Sequence, residues 1–163
     1  ILLIDYVSLY MRNVQPIAIM TIIFALALYF ADKNKEESKK IINCSYSLMF
    51  FIGLMQTLAI MPGVSRAGVV ITAALLVGFT RKDSIKISFL LSIPAIFMAS
   101  TYQTVEFLGA DEVIIMEDYI LGFLLSFVFS YLTIRLFIST INKVTFSPYI
   151  IYRIILGTIL LII

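Results

Sequence analysis

The residues with the most evident chemistry lie in one short stretch, Met61-Pro62-Gly63-Val64-Ser65-Arg66-Ala67-Gly68. Pro62 cannot donate into a continuing helix, so it ends whatever helix precedes it. Gly63 and Gly68 permit positive φ and close approach of another group to the backbone. A helix that restarts near Arg66 points its first free N–H groups into the loop, and helix N-termini bind anions, phosphate in particular. Arg66 adds a permanently charged planar fork suited to bidentate phosphate contact. Ser65 adds a hydroxyl, as a phosphate ligand or as a nucleophile. Thr72 supplies a second hydroxyl about one to two turns down the new helix, and Gln56, on the preceding leg, carries an amide able to face the same cavity. The candidates are therefore Arg66 and Ser65 for catalysis, and Gly63, Gly68, Gln56 and Thr72 for substrate binding. Each has a plainer alternative. Arg66 could snorkel or pair with a carboxylate, Ser65 could only cap a helix, and Gln56 and Thr72 could bond between helices. No carboxylates or histidines stand at metal-ligand spacing, so no metal site is expected from this chain alone.

The medium around these residues follows from composition. Of 163 residues, 61% are hydrophobic and 13% charged, and the mean hydropathy is +1.06. A soluble domain is about 45–50% apolar and about 25% charged, so this chain has too little polar surface to solvate a globule, and a bilayer is the expected solvent. A net charge of +2 gives no basis for a nucleic-acid partner. Histidine and tryptophan are absent and Cys44 is the single cysteine, which rules out an internal disulfide. The phenylalanines and methionines read as packing or lipid-facing groups. The first residues, ILLIDYV, resemble the tail of an earlier apolar segment and not a signal peptide. Residues 1–163 are thus expected to be a single transmembrane domain forming the C-terminal part of a longer chain.

Charges divide the chain into the elements that must hold the loop. Asn13 to Ala31 is a charge-free window of 19 residues, close to the length that crosses a bilayer. The run DKNKEESKK, 32–40, follows with four lysines. Between Lys40 and Arg81 lie 40 residues with one charge, Arg66. Ile87 to Val105 is charge-free and contains Pro94, a kink candidate. The acidic loop LGADEVIIMED, 108–118, precedes a 23-residue stretch from Tyr119 to Ile141, interrupted only by Arg135. A last helix is expected from about Tyr149. Lysine and arginine bias loops to the cytoplasm, which puts 32–40 and 80–84 inside and 108–118 outside. The residues between the two cytoplasmic loops must then enter and leave on one side. This predicts an all-α, polytopic bundle with a re-entrant helical hairpin over about 41–80 and the tip at or beyond mid-membrane. A first leg of Ile41 to Met61 would carry the tip into the outer half. Non-helical backbone survives at that depth only in protein or at a watery cavity, and an arginine there is a candidate functional residue. Arg135 and Arg153 are read as snorkelling near the cytoplasmic face, and Glu106 as closing its window at the outer face.

Three segments in order, GLMQTLAIMPGVSRAG (Gly53–Gly68), SFLLSIPAI (Ser88–Ile96) and FSPYIIYR (Phe146–Arg153), resemble the undecaprenyl-pyrophosphate phosphatase family of the bacitracin-resistance type. The resemblance implies hydrolysis of a polyprenyl pyrophosphate to the monophosphate for recycling of the cell-wall lipid carrier, in the bacterial inner membrane, with re-entrant hairpins. It also implies a divalent cation, Mg²⁺ or Ca²⁺, held by carboxylates outside this segment. Those would lie in an N-terminal half with paired glutamates and a Ser/His loop, the expected partner of this chain beside membrane lipids. Two positions depart from the family pattern: its second loop serine is Ala67 here, and Val70 stands where many members have threonine, removing two hydroxyls expected near the phosphate. Re-entrant half-helices facing an anion are also a transporter device. A transporter or flippase for an anionic or lipid-phosphate substrate is therefore the alternative, and a degenerate structural protein the plainest one.

Overall fold

The computed structural model describes residues 13–33, 39–108, 116–141 and 145–162. These residues form six α-helices: α1 (Val14–Lys33), α2 (Tyr46–Gln56), α3 (Arg66–Leu76), α4 (Arg81–Leu108), α5 (Met116–Ile141) and α6 (Ser147–Ile162). Two short 3-10 turns, Ile41–Asn43 and Thr57–Ile60, flank α2. No strand occurs among the described residues beyond an isolated Lys39–Phe79 bridge. The lysine-rich run at 34–38, the acidic loop at 109–115, the opening ILLIDYV and Lys143 lie outside the described residues.

Three helical stretches, Val14–Lys33, Arg81–Val105 and Tyr119–Ser139, are long and apolar enough to cross a membrane. The all-α membrane architecture expected from the charge-free windows is therefore found. Helix α4 continues through Pro94.

The central element is α3. Every residue from Gly68 to Leu75 is buried, as expected of a short helix apolar on all sides. One face packs with Ala25, Leu28 and Ala31 of α1 and with Ile85, Phe146 and Ile150. The other packs with Ile52 of α2, Val64, Phe79 and Ile87. Gly157 of α6 lets that helix close on α1, since a Cβ there would lie 3.1 Å from the Ala18 carbonyl oxygen and collide with Ile22.

Chain ends of the 41–80 segment meet. Helix α3 stops in a Schellman turn, with Gly78 at φ 92°, Phe79 N–H donating to Ala74 O at 3.0 Å and Gly78 N–H to Leu75 O at 2.9 Å. Lys39 then pairs across that turn: its N–H donates to Gly78 O, Thr80 N–H donates back to Lys39 O, and its ammonium donates to Val77 O. Arg81 closes the same end by pairing with the buried carboxylate of Asp32 at the end of α1.

The first leg differs from the single 21-residue helix that an apolar window suggests. It breaks at Cys44–Ser45, where extended backbone and the Ser45 hydroxyl, accepting from Leu48 N–H, start α2 afresh. Helix α2 with its 3-10 extension covers only 46–60, about 25 Å at ordinary rises. The tip lies against Ile17 and Thr21 of α1. Thr21 and Ile17 are 12 and 16 residues, about 18 and 24 Å, from Lys33, past the middle of α1 and toward its far end.

Candidate functional site

The tip is a type II turn written into its residues. Val64 N–H donates to Met61 O at 3.2 Å, Pro62 occupies the second position and Gly63 the third, with φ 87°. A side chain on Gly63 would drive a Cβ into the Ile17 carbonyl oxygen, so the turn is pressed against α1. Ser65 follows in extended conformation and caps α3, its Oγ accepting from Gly68 N–H at 3.1 Å. Gly68 fits closely beside that cap: a Cβ would come within 3.1 to 3.3 Å of the Ser65 side chain and the Arg153 Nη1.

The loop is braced from three helices. Thr21 on α1 donates its hydroxyl to Ile17 O at 2.7 Å and reaches Gly63 O at 3.3 Å. Ser88 on α4 donates to Ala67 O at 3.4 Å. Helix α6 contributes most: Tyr149 donates its hydroxyl to Ser65 Oγ at 2.9 Å, and Arg153 Nη2 donates to Gly63 O at 2.6 Å. Gly53–Gly68, Ser88–Ile96 and Phe146–Arg153, far apart in the chain, thus converge on one loop.

Arg153 does not snorkel. It is only 5% exposed, its guanidinium carbon 5.8 Å from the Tyr149 ring centroid. Neither Arg153 nor Tyr149 stands out by local pattern. The signal in the sequence is the resemblance of FSPYIIYR, together with the loop motif, to the family pattern.

The loop divides its polar groups between two cavities. Arg66, the exposed first residue of α3, shares a cavity of about 260 Å³ with Gln56, Gly53, Thr57 and Ala95. The Gln56 Oε1 is buried there without a hydrogen-bond partner among the described residues. Ser65 and Gly63 instead face a cavity of about 300 Å³ with Thr21, Tyr149, Tyr152 and Arg153. Thr72 lines neither: it is buried, and its hydroxyl donates to Gly68 O one turn back at 2.7 Å. Val70 also lies away from both, in the apolar core around Ile52 and Phe79, so its missing hydroxyl is a feature of packing. Ala67 faces a third cavity, about 220 Å³ and almost wholly apolar, walled by Leu28, Ile71, Phe89, Phe137 and Phe146.

No three His, Cys, Asp or Glu side chains cluster as metal ligands among the described residues. The walls of the two polar cavities hold guanidinium and hydroxyl donors that suit an anion, and no carboxylate among the described residues lines either one, so the Gln56 carbonyl and the hydroxyls alone do not build a divalent-cation site.

Fold and site together define an α-helical membrane protein that keeps a polar, glycine-containing loop inside its bundle. The chain belongs to the family described as bacitracin resistance protein BacA, whose family model it matches over residues 1–159. Similar curated proteins include the undecaprenyl-diphosphatase of Pelagibacter ubique, 46% identical over 159 residues, covering 96% of this chain and 61% of that protein. Another is the undecaprenyl-diphosphatase 1 of Pseudoalteromonas translucida, 38% identical over 157 residues, 96% of this chain and 59% of that protein. A third is the undecaprenyl-diphosphatase of Saccharophagus degradans, 41% identical over 157 residues, with the same coverage of 96% and 59%. The chain thus spans about 60% of the length of these relatives.

Proposed function

We propose that the full-length protein is a membrane phosphatase that hydrolyses undecaprenyl or a similar polyprenyl pyrophosphate to the monophosphate, recycling the cell-wall lipid carrier in the bacterial inner membrane. One observation carries the reading: in a member of this family, the Ser65-capped start of α3 sits inside the bundle with Arg66 exposed beside Gln56, whose Oε1 has no hydrogen-bond partner among the described residues. Arg66 and the loop amides hold phosphoryl oxygens and stabilise charge that develops during transfer. Gly63 and Gly68 shape the substrate-binding loop by letting the turn close on α1 and the Arg153 guanidinium close on the start of α3, and Gln56 orients the group from the facing leg. Thr72 has a supporting part, tying the first turn of α3. The apolar cavity beside Ala67 offers the prenyl chain a wall adjoining the loop.

A divalent cation, Mg²⁺ or Ca²⁺, belongs to this proposal through carboxylates outside residues 1–163, because the groups around the loop do not fit one. The general acid and base are likewise assigned outside this segment, which has no histidine. The hairpin is proposed to be re-entrant, supported by the meeting of Lys39 with the 77–80 turn. The test is phosphate release from a polyprenyl pyrophosphate by the purified full-length protein. Transbilayer movement of the lipid without phosphate release would favour the flippase reading instead.

A further inference from the structure

The loop side facing α6 has a chemistry that the proposal above leaves unused. Ser65 Oγ already accepts two hydrogen bonds, from Gly68 N–H at 3.1 Å and from the Tyr149 hydroxyl at 2.9 Å. A phenol is a far stronger acid than an aliphatic alcohol, so between these two hydroxyls Tyr149 is the donor. Both acceptor positions of the serine oxygen are then occupied, and its own proton is left to donate. The Thr21 proton is spent on backbone carbonyls.

Arg153 completes the pattern. It has five donors and uses one of them, at Nη2, on Gly63 O. It makes no ion pair among the described residues. It is more than nine-tenths buried and lines the same cavity as Ser65. An arginine cannot shed its charge, and a buried uncompensated cation is costly. Ser65 and Arg153 therefore present the cavity with donors only, and the chemistry complementary to them is an oxyanion.

We infer that the cavity between the loop and α6 is a phosphoryl-oxyanion site with Arg153 and Ser65 as its donors, Tyr149 being the positioning residue that holds Ser65 in the donating sense. This rests on the phosphatase reading for the identity of the substrate, but not for the presence of the site. It gives Ser65 the part of a phosphate ligand and removes it as a nucleophile, since an oxygen accepting two hydrogen bonds has no lone pair free to attack. It also places a second guanidinium on the side of the loop opposite Arg66.

The test uses the purified full-length protein and inorganic pyrophosphate as probe, with affinity read from thermal stabilisation and, separately, KM and kcat for the lipid. Arg153→Gln retains an N–H for Gly63 O but loses the charge. It should weaken pyrophosphate binding by about 10- to 100-fold, and Arg153→Lys should recover part of that. Tyr149→Phe should weaken binding several-fold in the wild-type background and have no effect in a Ser65→Ala background, because it acts through that hydroxyl. A KM shift parallel to the pyrophosphate shift identifies the lipid-linked phosphate as occupant, and a shift for inorganic pyrophosphate alone identifies the free anion. Unchanged pyrophosphate affinity in a stably folded Arg153→Gln protein would overturn the inference, showing that a carboxylate elsewhere neutralises Arg153. Should Arg153→Gln not accumulate, the tyrosine–serine cycle decides, and effects that multiply overturn it. Arg153-dependent pyrophosphate binding without phosphate release would instead sink the phosphatase reading and leave this site standing.

Discussion

Gly63→Ala is the sharpest test of the loop geometry. At φ 87° an alanine carries the left-handed penalty of about 1–2 kcal/mol. Its Cβ also overlaps the Ile17 carbonyl oxygen, which belongs to the backbone of α1 and cannot swing aside. Relieving the overlap means lifting the turn from α1, which gives up the Arg153 bond to Gly63 O. A charged hydrogen bond of this kind contributes about 1.5–3 kcal/mol. The combined loss is about 3 kcal/mol or more. At about 2–4 °C per kcal/mol for a chain of this size, the midpoint in detergent should fall by about 6 °C or more. Turnover of the full-length protein should fall with it, since the displaced turn carries Ser65. Gly122→Ala is the control: nothing lies within 4 Å of its Cβ position on α5, and alanine in a helix should be neutral or favourable by about 0.5–1 kcal/mol. A Gly63→Ala protein matching wild type in midpoint and turnover would refute the close approach to α1 and the brace from α6 together.

Arg66→Ala in the full-length protein should abolish turnover with normal expression, and Arg66→Lys should rescue poorly for want of the bidentate fork; near wild-type rates in either remove Arg66 from the site. Residues 1–163 purified alone should release no phosphate, and measurable release would show that the acid, base and cation ligands are not needed from elsewhere. In a Cys44→Ser background, cysteines at Lys40 and Lys82 should be labelled by impermeant thiol reagents from the same membrane face, as the Lys39–Phe79 bridge requires; labelling from opposite faces excludes a re-entrant hairpin.

Much of the fold was legible because charge marks where a helix can leave the bilayer. The windows at Asn13–Ala31 and Tyr119–Ile141 became α1 and α5, and Pro62 with Gly63 announced the turn. The break at Cys44–Ser45 was hidden inside an unbroken apolar run, where a cap serine looks like any small residue. At the site, Arg66 was conspicuous by isolation, whereas Arg153 lay near the start of the last helix, ten residues after Lys143, and looked like an interfacial residue. Its partner, Gly63, is 90 residues away, and no local pattern carries a contact of that range. Thr72 was misplaced for the opposite reason: its hydroxyl serves its own helix, a local bond that spacing cannot distinguish from one reaching outward.

The brace from α6 also sets an order of assembly. Chains emerge N-terminus first, so α1, the hairpin and α4 are all made before Tyr149 and Arg153 exist. Until α6 slides its Gly157 face against α1, Ser65 lacks its tyrosine and the Gly63 carbonyl its guanidinium. Among the described helices the last one translated is therefore the one that matures the loop, and a nascent chain paused before Ser147 carries a hairpin whose tip is not yet set.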